Sequence, residues 1–213
     1  MTKLNYFCVV DGQQEEIYLN RLAKLLTDFP KRTVTFNTII NNAEQLRREN
    51  YIEYDSVCLF DHDFKKTEFE RSIMTCVELN AKRSVGTKRN PGSRVYHAYS
   101  NICFDLWLAL HKEFIGRSAQ CSPKEYISDV IRLYNLPKDS DIKQKKIIER
   151  IVKQIELKDV KMAISNAQRI RNSKLEKDKC VISVEGDIFY YPDPDFSIDI
   201  FIKQVIEKLG ISI

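Results

Sequence analysis

The chain has 213 residues, 43% of them hydrophobic and 30% charged, with six Gly, six Pro and a formal net charge of +4. This globular composition excludes disordered, collagenous and low-complexity classes, and the length allows one elaborated domain or one domain with a modest second lobe. The longest uncharged apolar stretches, such as residues 56–60 and 102–104, are far shorter than the ~20 residues of a membrane-spanning helix, so an integral membrane protein is not expected.

Residues 1–8 run straight into a strand-like segment without a basic n-region, an apolar h-region or a small-residue cleavage site, which makes the cytoplasm the expected location. Residues 4–10 are a nearly continuous β-prone run that ends at Asp11-Gly12, where a glycine permits a tight turn. Ile17, Leu19, Leu22, Leu25 and Leu26 then recur at helical spacing, with Pro30 beyond the pattern. Residues 33–37 read as a second strand and 41–49 as a short polar helix. Residues 55–60 form a third strand without polar alternation, the pattern of a strand covered on both faces in a parallel sheet. Asp61-His62-Asp63 ends it, a helix is expected over 68–80, a fourth strand over 93–99 and a helix over 102–112.

Alternating strands and helices over residues 1–113 predict a three-layer α/β core around a parallel sheet. Residues 114–179 then read as an added helical lobe, with helices over 122–133, 142–155 and 160–170 and an apolar stripe of Ile147, Ile148, Ile151, Val152 and Ile155. In the last segment, 180–213, residues 180–191 are expected to return to the sheet as a strand. A closing helix over 196–209 is stopped by Gly210.

Cys8, Cys58, Cys76, Cys103, Cys121 and Cys180 include no CxxC pair and sit mostly among apolar neighbours. Reduced thiols packed as small hydrophobes are expected. Between Lys138 and Lys179 there are thirteen Lys/Arg and seven Asp/Glu, a surplus larger than that of the whole chain. That leaves the remainder slightly acidic. The basic helical faces can track a polyanion or simply be solvated.

Two strands end in acid, the first at Asp11-Gly12-Gln13-Gln14-Glu15-Glu16 and the third at Asp61-His62-Asp63. Ligands of parallel α/β sheets collect at the carboxyl ends of the strands. If these two strands are neighbours, Asp11, Asp61 and Asp63, with Glu15 or Glu16 one helical turn on, surround a common point. Crowded carboxylates repel, and a hard divalent cation, Mg2+ or Mn2+, relieves that repulsion and is equipped for phosphodiester cleavage. Acids also favour turns and helix starts, so ordinary loop chemistry stays open. His62, between the two acids, is a candidate base unless its ring points to the opposite side. His97 and His111 are expected to pack within the fold, and no HExxH spacing supports zinc. Trp107 reads as a core-facing helix anchor. Gly12 opens neither a GxGxxG nor a GxxxxGK[ST] loop, so a dinucleotide cofactor or intrinsic ATP hydrolysis is not expected.

The order of these motifs resembles the Toprim domain of topoisomerases, primases and OLD-type nucleases over roughly the first 100 residues. Tyr99-Ser100-Asn101-Ile102-Cys103-Phe104-Asp105-Leu106-Trp107-Leu108-Ala109-Leu110-His111 resembles the SNPxFExWLLLH segment of the RloB-like family of bacterial abortive-infection proteins. Asp11 to Glu16 fall where that family carries EGxxTE, Asp61-His62-Asp63 where it carries DxD, and Tyr191-Pro192-Asp193-Pro194 is similar to its ending. The chain departs from the pattern at Asp11 (Glu in the family), Ile102 (Pro) and Asp105 (Glu). The shorter Asp11 draws the carboxylate back by a methylene. Asp105 is either a further ligand or a charge favoured by its helix dipole.

The resemblance implies a Toprim-like, Mg2+- or Mn2+-dependent nuclease acting on DNA or RNA, transfer RNA included, in anti-phage defence, often beside an AAA-type ATPase partner. Asp11, Glu15, Asp61 and Asp63 would be the catalytic residues. Asp11, Asp61 and Asp63 would be the primary metal ligands, with Glu15 or Glu16 in support. Lys82, Arg83, Lys88, Arg89 and Arg94, in and around the Gly- and Pro-containing stretch after the DxD helix, are candidate phosphate contacts, with a solvated loop as the alternative. Two other readings stay open: a non-catalytic nucleic-acid- or ATPase-binding subunit with a degraded site, and a phosphotransferase or phosphatase using the same cage on a small substrate.

Overall fold

The computed structural model describes residues 2–29, 31–48, 54–63, 65–83, 92–116, 122–175, 180–184, 187–190 and 195–212. Its elements in chain order are β1 (Thr2–Val10), α1 (Gln13–Thr27), β2 (Arg32–Ile40), α2 (Gln45–Arg48), β3 (Asp55–Asp61), α3 (Lys66–Arg83), β4 (Val95–Asn101) and α4 (Phe104–Leu110). There follow α5 (Pro123–Leu133), α6 (Lys145–Lys153), α7 (Leu157–Leu175), β5 (Cys180–Val184), β6 (Asp187–Tyr190), β7 (Asp195–Phe196) and α8 (Ile198–Lys208).

Five strands form one sheet in the order β2-β1-β3-β4-β7, with the first four parallel and β7 antiparallel at the edge. The apolar runs have the character expected of strands covered twice. Cys8 and Val10 of β1 and Val57 and Leu59 of β3 enter the larger core with α1, α4 and α8. The alternate residues Val9, Cys58 and Phe60 enter a second core with Leu46 of α2 and Phe69, Ile73 and Cys76 of α3. The result is the three-layer α/β arrangement that the sequence predicts.

Helices α5, α6 and α7 join the larger core rather than standing apart from it. Tyr126, Val130, Ile148, Ile151, Ala163 and Ile164 share one apolar cluster with Leu19, Leu22 and Trp107. Polar ties reinforce the packing: Arg21 donates to the Ile155 carbonyl at 2.9 Å, and Lys112 pairs with Asp159 at 2.9 Å. Trp107 is fully buried, and the buried His111 ring lies 3.1 Å from the Tyr18 hydroxyl. Burial pushes the His111 pKa down to about 4. Both residues are structural, as the sequence indicates. Cys8, Cys58, Cys76 and Cys103 are free buried thiols.

One expectation is corrected. Residues 180–191 do not return to the sheet as a single strand. β5 and β6 pair antiparallel as a separate two-stranded hairpin, and the short β7 closes the sheet instead. β-propensity along this run does not decide whether it pairs with the sheet or with itself. The closing helix ends as expected: Gly210 adopts φ 64°, and the Ile211 N–H returns to the Ile206 carbonyl at 3.1 Å. No helix among the described residues is long and apolar enough to cross a membrane.

Candidate carboxylate site

β1 lies between β2 and β3, so the chain leaves its carboxyl end in one direction for β2 and returns on the other side as β3. This reversal is the switch point where open α/β sheets bind ligands. Val10 pairs with Leu59, which sets the ends of β1 and β3 side by side. The Asp11 N–H donates to the Leu59 carbonyl at 3.2 Å, and the Asp61 N–H donates to Asp11 Oδ2 at 3.2 Å. Asp61 in turn accepts the Phe104 N–H at 2.9 Å through Oδ2, which satisfies one open donor of α4. Asp63 follows in a left-handed conformation, φ 44°, its N–H bonded to the Ile102 carbonyl at 2.9 Å. The Asn101–Ile102 peptide is cis.

Gly12 leaves the strand in extended geometry, and a Cβ there would come within 3.1 Å of Glu15 Oε2. Glycine therefore makes room for the Glu15 carboxylate, which is only 4% exposed. Across from it Asp105, in the first turn of α4, is also 4% exposed. The Gln14 amide donates at 3.3 Å both to Asp105 Oδ1 and to the Ile142 carbonyl, which ties the helical segment to this edge of the site.

The electrostatics follow from burial first and crowding second. Burial, with the charges of Asp63 and Glu68 adding to it, lifts the Asp11 pKa to about 6 against the Asp61 N–H. Burial, then Asp11, Asp105 and Asp63, lift Glu15 to about 7 although its own backbone N–H opposes the shift. Burial, then Glu15 and Asp63, hold Asp61 well above the usual carboxylate range. Burial also lifts Asp105 to about 6, against the Gln14 hydrogen bond and Lys143. Asp11, Glu15, Asp61, Asp63 and Asp105 thus act on one another as a single electrostatic group.

Glu16 is diverted, since its carboxylate accepts the Thr38 hydroxyl at 3.0 Å on the β2 side. The His62 ring turns into the core, edge-on to Phe69 with centroids 5.0 Å apart, and burial lowers its pKa to about 4. Buried against Phe69 and with its pKa lowered despite the nearby Asp63 charge, the ring is packing material rather than a free base at the acids. Lys82 and Arg83 occupy the far end of α3, roughly 25 Å from its start at 1.5 Å per residue. Arg83 is engaged there by Ser56 Oγ and the Leu46 carbonyl. Arg94 precedes β4, at the amino edge of the sheet. The fold therefore does not bring these three to the carboxylates, and Lys88 and Arg89 lie outside the described residues.

A cleft of about 270 Å3 opens beside the acids, bounded by Asp11, Asp61 and Asp63, by Asn42 to Glu44 before α2, and by Lys65 and the first turns of α3. Among the described residues, no group of three or more His, Cys, Asp or Glu side chains stands as a metal cage. The donors are nonetheless all hard oxygens, and burial, with repulsion from neighbouring acids added to it, raises the pKa values of Asp11, Glu15, Asp61 and Asp105, a condition that a divalent cation relieves.

The family model described as RloB-like protein matches residues 6–201. The chain belongs to the RloB-like family. No curated protein and no solved structure matches it. In this RloB-like protein the EGxxTE-like, DxD and SNPxFExW-like segments meet at one place: Asp11 and Glu15 come from the first, Asp61 and Asp63 from the second, and Asp105 from the third. Gln14, Lys65 and Arg71 were not singled out by the sequence. Only the cleft and the Asp105 contact reveal them.

Replacing Glu15 by Gln isolates the electrostatic cost. A carboxyl raised from its ordinary value to about 7 contributes fully below that ordinary value, and its contribution is lost as pH rises through 7. Metal-free Glu15→Gln is therefore expected to match wild type near pH 4.5 and to exceed it by roughly 1–3 kcal/mol at pH 8. Thermal melts of both proteins across that range check this.

Proposed function

We propose that this RloB-like protein is a Toprim-like, Mg2+- or Mn2+-dependent nuclease that hydrolyses phosphodiester bonds in DNA or RNA as part of bacterial anti-phage defence. The observation that carries the reading is the convergence of Asp11, Glu15, Asp61, Asp63 and Asp105 at the β1/β3 switch point, with a cleft beside them. Asp11, Asp61 and Asp63 would hold the metal with Glu15 in support, and Asp105 would face the same centre. A metal bound there supplies Lewis acidity toward phosphoryl oxygens and a more acidic water. The chain's own contribution is orientation: the Asp61 and Phe104 N–H groups fix the Asp11 and Asp61 carboxylates. In the metal-free protein, Glu15 is a carboxyl able to take or give a proton near neutral pH. A cytoplasmic location and an AAA-type ATPase partner accompany this reading.

The same two backbone hydrogen bonds, and the lack of a ready metal cage among the described residues, favour a second reading. On it the site is degraded, and the protein is a non-catalytic subunit that binds nucleic acid or the ATPase. Cleavage of a panel of single- and double-stranded DNA and RNA, transfer RNA included, with Mn2+ and with a chelator separates the two. The nuclease reading expects metal-dependent cleavage that falls at least a thousandfold in Asp61→Asn. Cleavage that persists in Asp61→Asn and in Asp63→Asn overturns it.

A further inference from the structure

The cleft beside the carboxylates carries more charge than a metal site needs. Its acids fall into two groups. Glu44 is occupied by Arg47 at 3.0 Å and by the Thr75 hydroxyl at 3.1 Å, and Glu68 is approached by Lys65 at 3.8 Å. Asp11, Asp61 and Asp63 are the acids left facing the cleft at one end. On its α3 side stands Arg71, an exposed guanidinium lining the cleft with no carboxylate partner among the described residues. Ser72 and Asn42 line the same space. Gln14, which is not part of the cleft lining, bridges Asp105 to the Ile142 carbonyl of the helical segment.

An unpaired arginine in a concave site next to a carboxylate group has the chemistry of a phosphate receptor, because its planar fork matches phosphate oxygens bidentately. Acids alone would repel a phosphate. A cation at the far wall lets one charged group enter while a metal at the near wall meets the next. A volume of about 270 Å3 lies at the lower edge of small-molecule sites, near 300–1,000 Å3, which fits one nucleotide rather than a duplex.

We propose that the cleft between the α2 segment and α3 is a one-nucleotide subsite, in which Arg71, assisted by Lys65, binds a nucleotide phosphate next to the carboxylates. This rests on the phosphodiesterase reading above and adds the side from which substrate enters, along α3 rather than along the basic helices α6 and α7.

The test is calorimetric titration of the full chain with a nucleoside 5′-monophosphate, ribo and deoxy, in saturating Mn2+ and without metal. Arg71→Ala is expected to weaken nucleotide binding about ten- to a hundredfold, Arg71→Lys less, with Mn2+ binding unchanged in both. Lys153→Ala, on the exposed face of α6, is expected to bind as wild type does. Nucleotide binding that is absent in wild type, indifferent to Arg71→Ala, or weakened equally by Lys153→Ala overturns the subsite. Absence of Mn2+ binding in wild type counts against the metal-dependent reading alone, since Arg71-dependent nucleotide binding without metal still supports the subsite.

Discussion

On the nuclease reading the Asp61→Asn/Asp63→Asn protein is expected to lose cleavage and yet, free of metal at pH 8, to melt above wild type. Asp61 sits where burial and the charges of Glu15 and Asp63 hold its pKa well above the usual range, so ionising it costs folding free energy. Asparagine removes that charge but keeps an oxygen to accept the Phe104 N–H now bonded at 2.9 Å. At position 63 the backbone is left-handed, φ 44°, a region asparagine tolerates well. Neither change opens a cavity. The gain is expected to be roughly 1–3 kcal/mol, or about 3–10 °C for a chain of this size. It should fade toward pH 4, where the Asp61 carboxyl of the native protein is protonated. Calorimetric melts at several pH values check it. A double variant less stable than wild type at pH 8 would mean that these carboxylates are ordinary structural caps.

Arg171→Met is expected to be among the most destabilising single changes in the protein, at about 3–5 kcal/mol, which is roughly 6–20 °C. Arg171 on α7 bonds Asp199 Oδ1 and the Phe196 carbonyl, both at 2.6 Å, and lies 3.7 Å from Asp195 Oδ1. Asp199 is fully buried and Asp195 is 2% exposed, and Asp195 also accepts the Tyr99 hydroxyl at 2.7 Å. This network joins α7 and α8 to the sheet edge at β4 and β7. Removing the cation leaves two buried carboxylates without it, and the loss comes from those stranded charges more than from the ion pair itself. The triple variant Arg171→Met/Asp195→Asn/Asp199→Asn should recover most of the stability. Denaturant unfolding of the two variants makes the comparison. Equal losses in both would assign the effect to packing of the Arg171 stem.

Much of the sheet is legible in the sequence because each parallel strand is an unbroken apolar run bounded by turn chemistry. Residues 55–60 lack polar alternation since Val57 and Leu59 face one core while Cys58 and Phe60 face the other. Residues 180–191 are harder, because β-propensity does not say whether a segment pairs with the sheet or with itself. The acids of the site are legible because strand ends in a parallel sheet converge. Their partners are not: Gln14 and Arg71 occupy unremarkable helix positions, and only the tertiary structure places one against Ile142 and the other on the cleft. Lys82 and Arg83 come soon after the DxD motif in sequence, but α3 sets them in its last turn, at the end away from the acids. Helix length decides that separation. Of the thirteen cations between residues 138 and 179, Arg171 is consumed by a buried ion pair and Arg169 stacks on Phe114 at 3.9 Å, so net charge overstates what is available to a polyanion.

The central claim is that the acids at the ends of β1 and β3 form a divalent-metal site. Calorimetric titration of Mn2+ into wild type and into Asp61→Asn/Asp63→Asn at neutral pH tests it without substrate, partner or trigger. Binding in wild type with release of protons, and none in the double variant, is the predicted result. Equal binding by both proteins, or none by wild type, would contradict it.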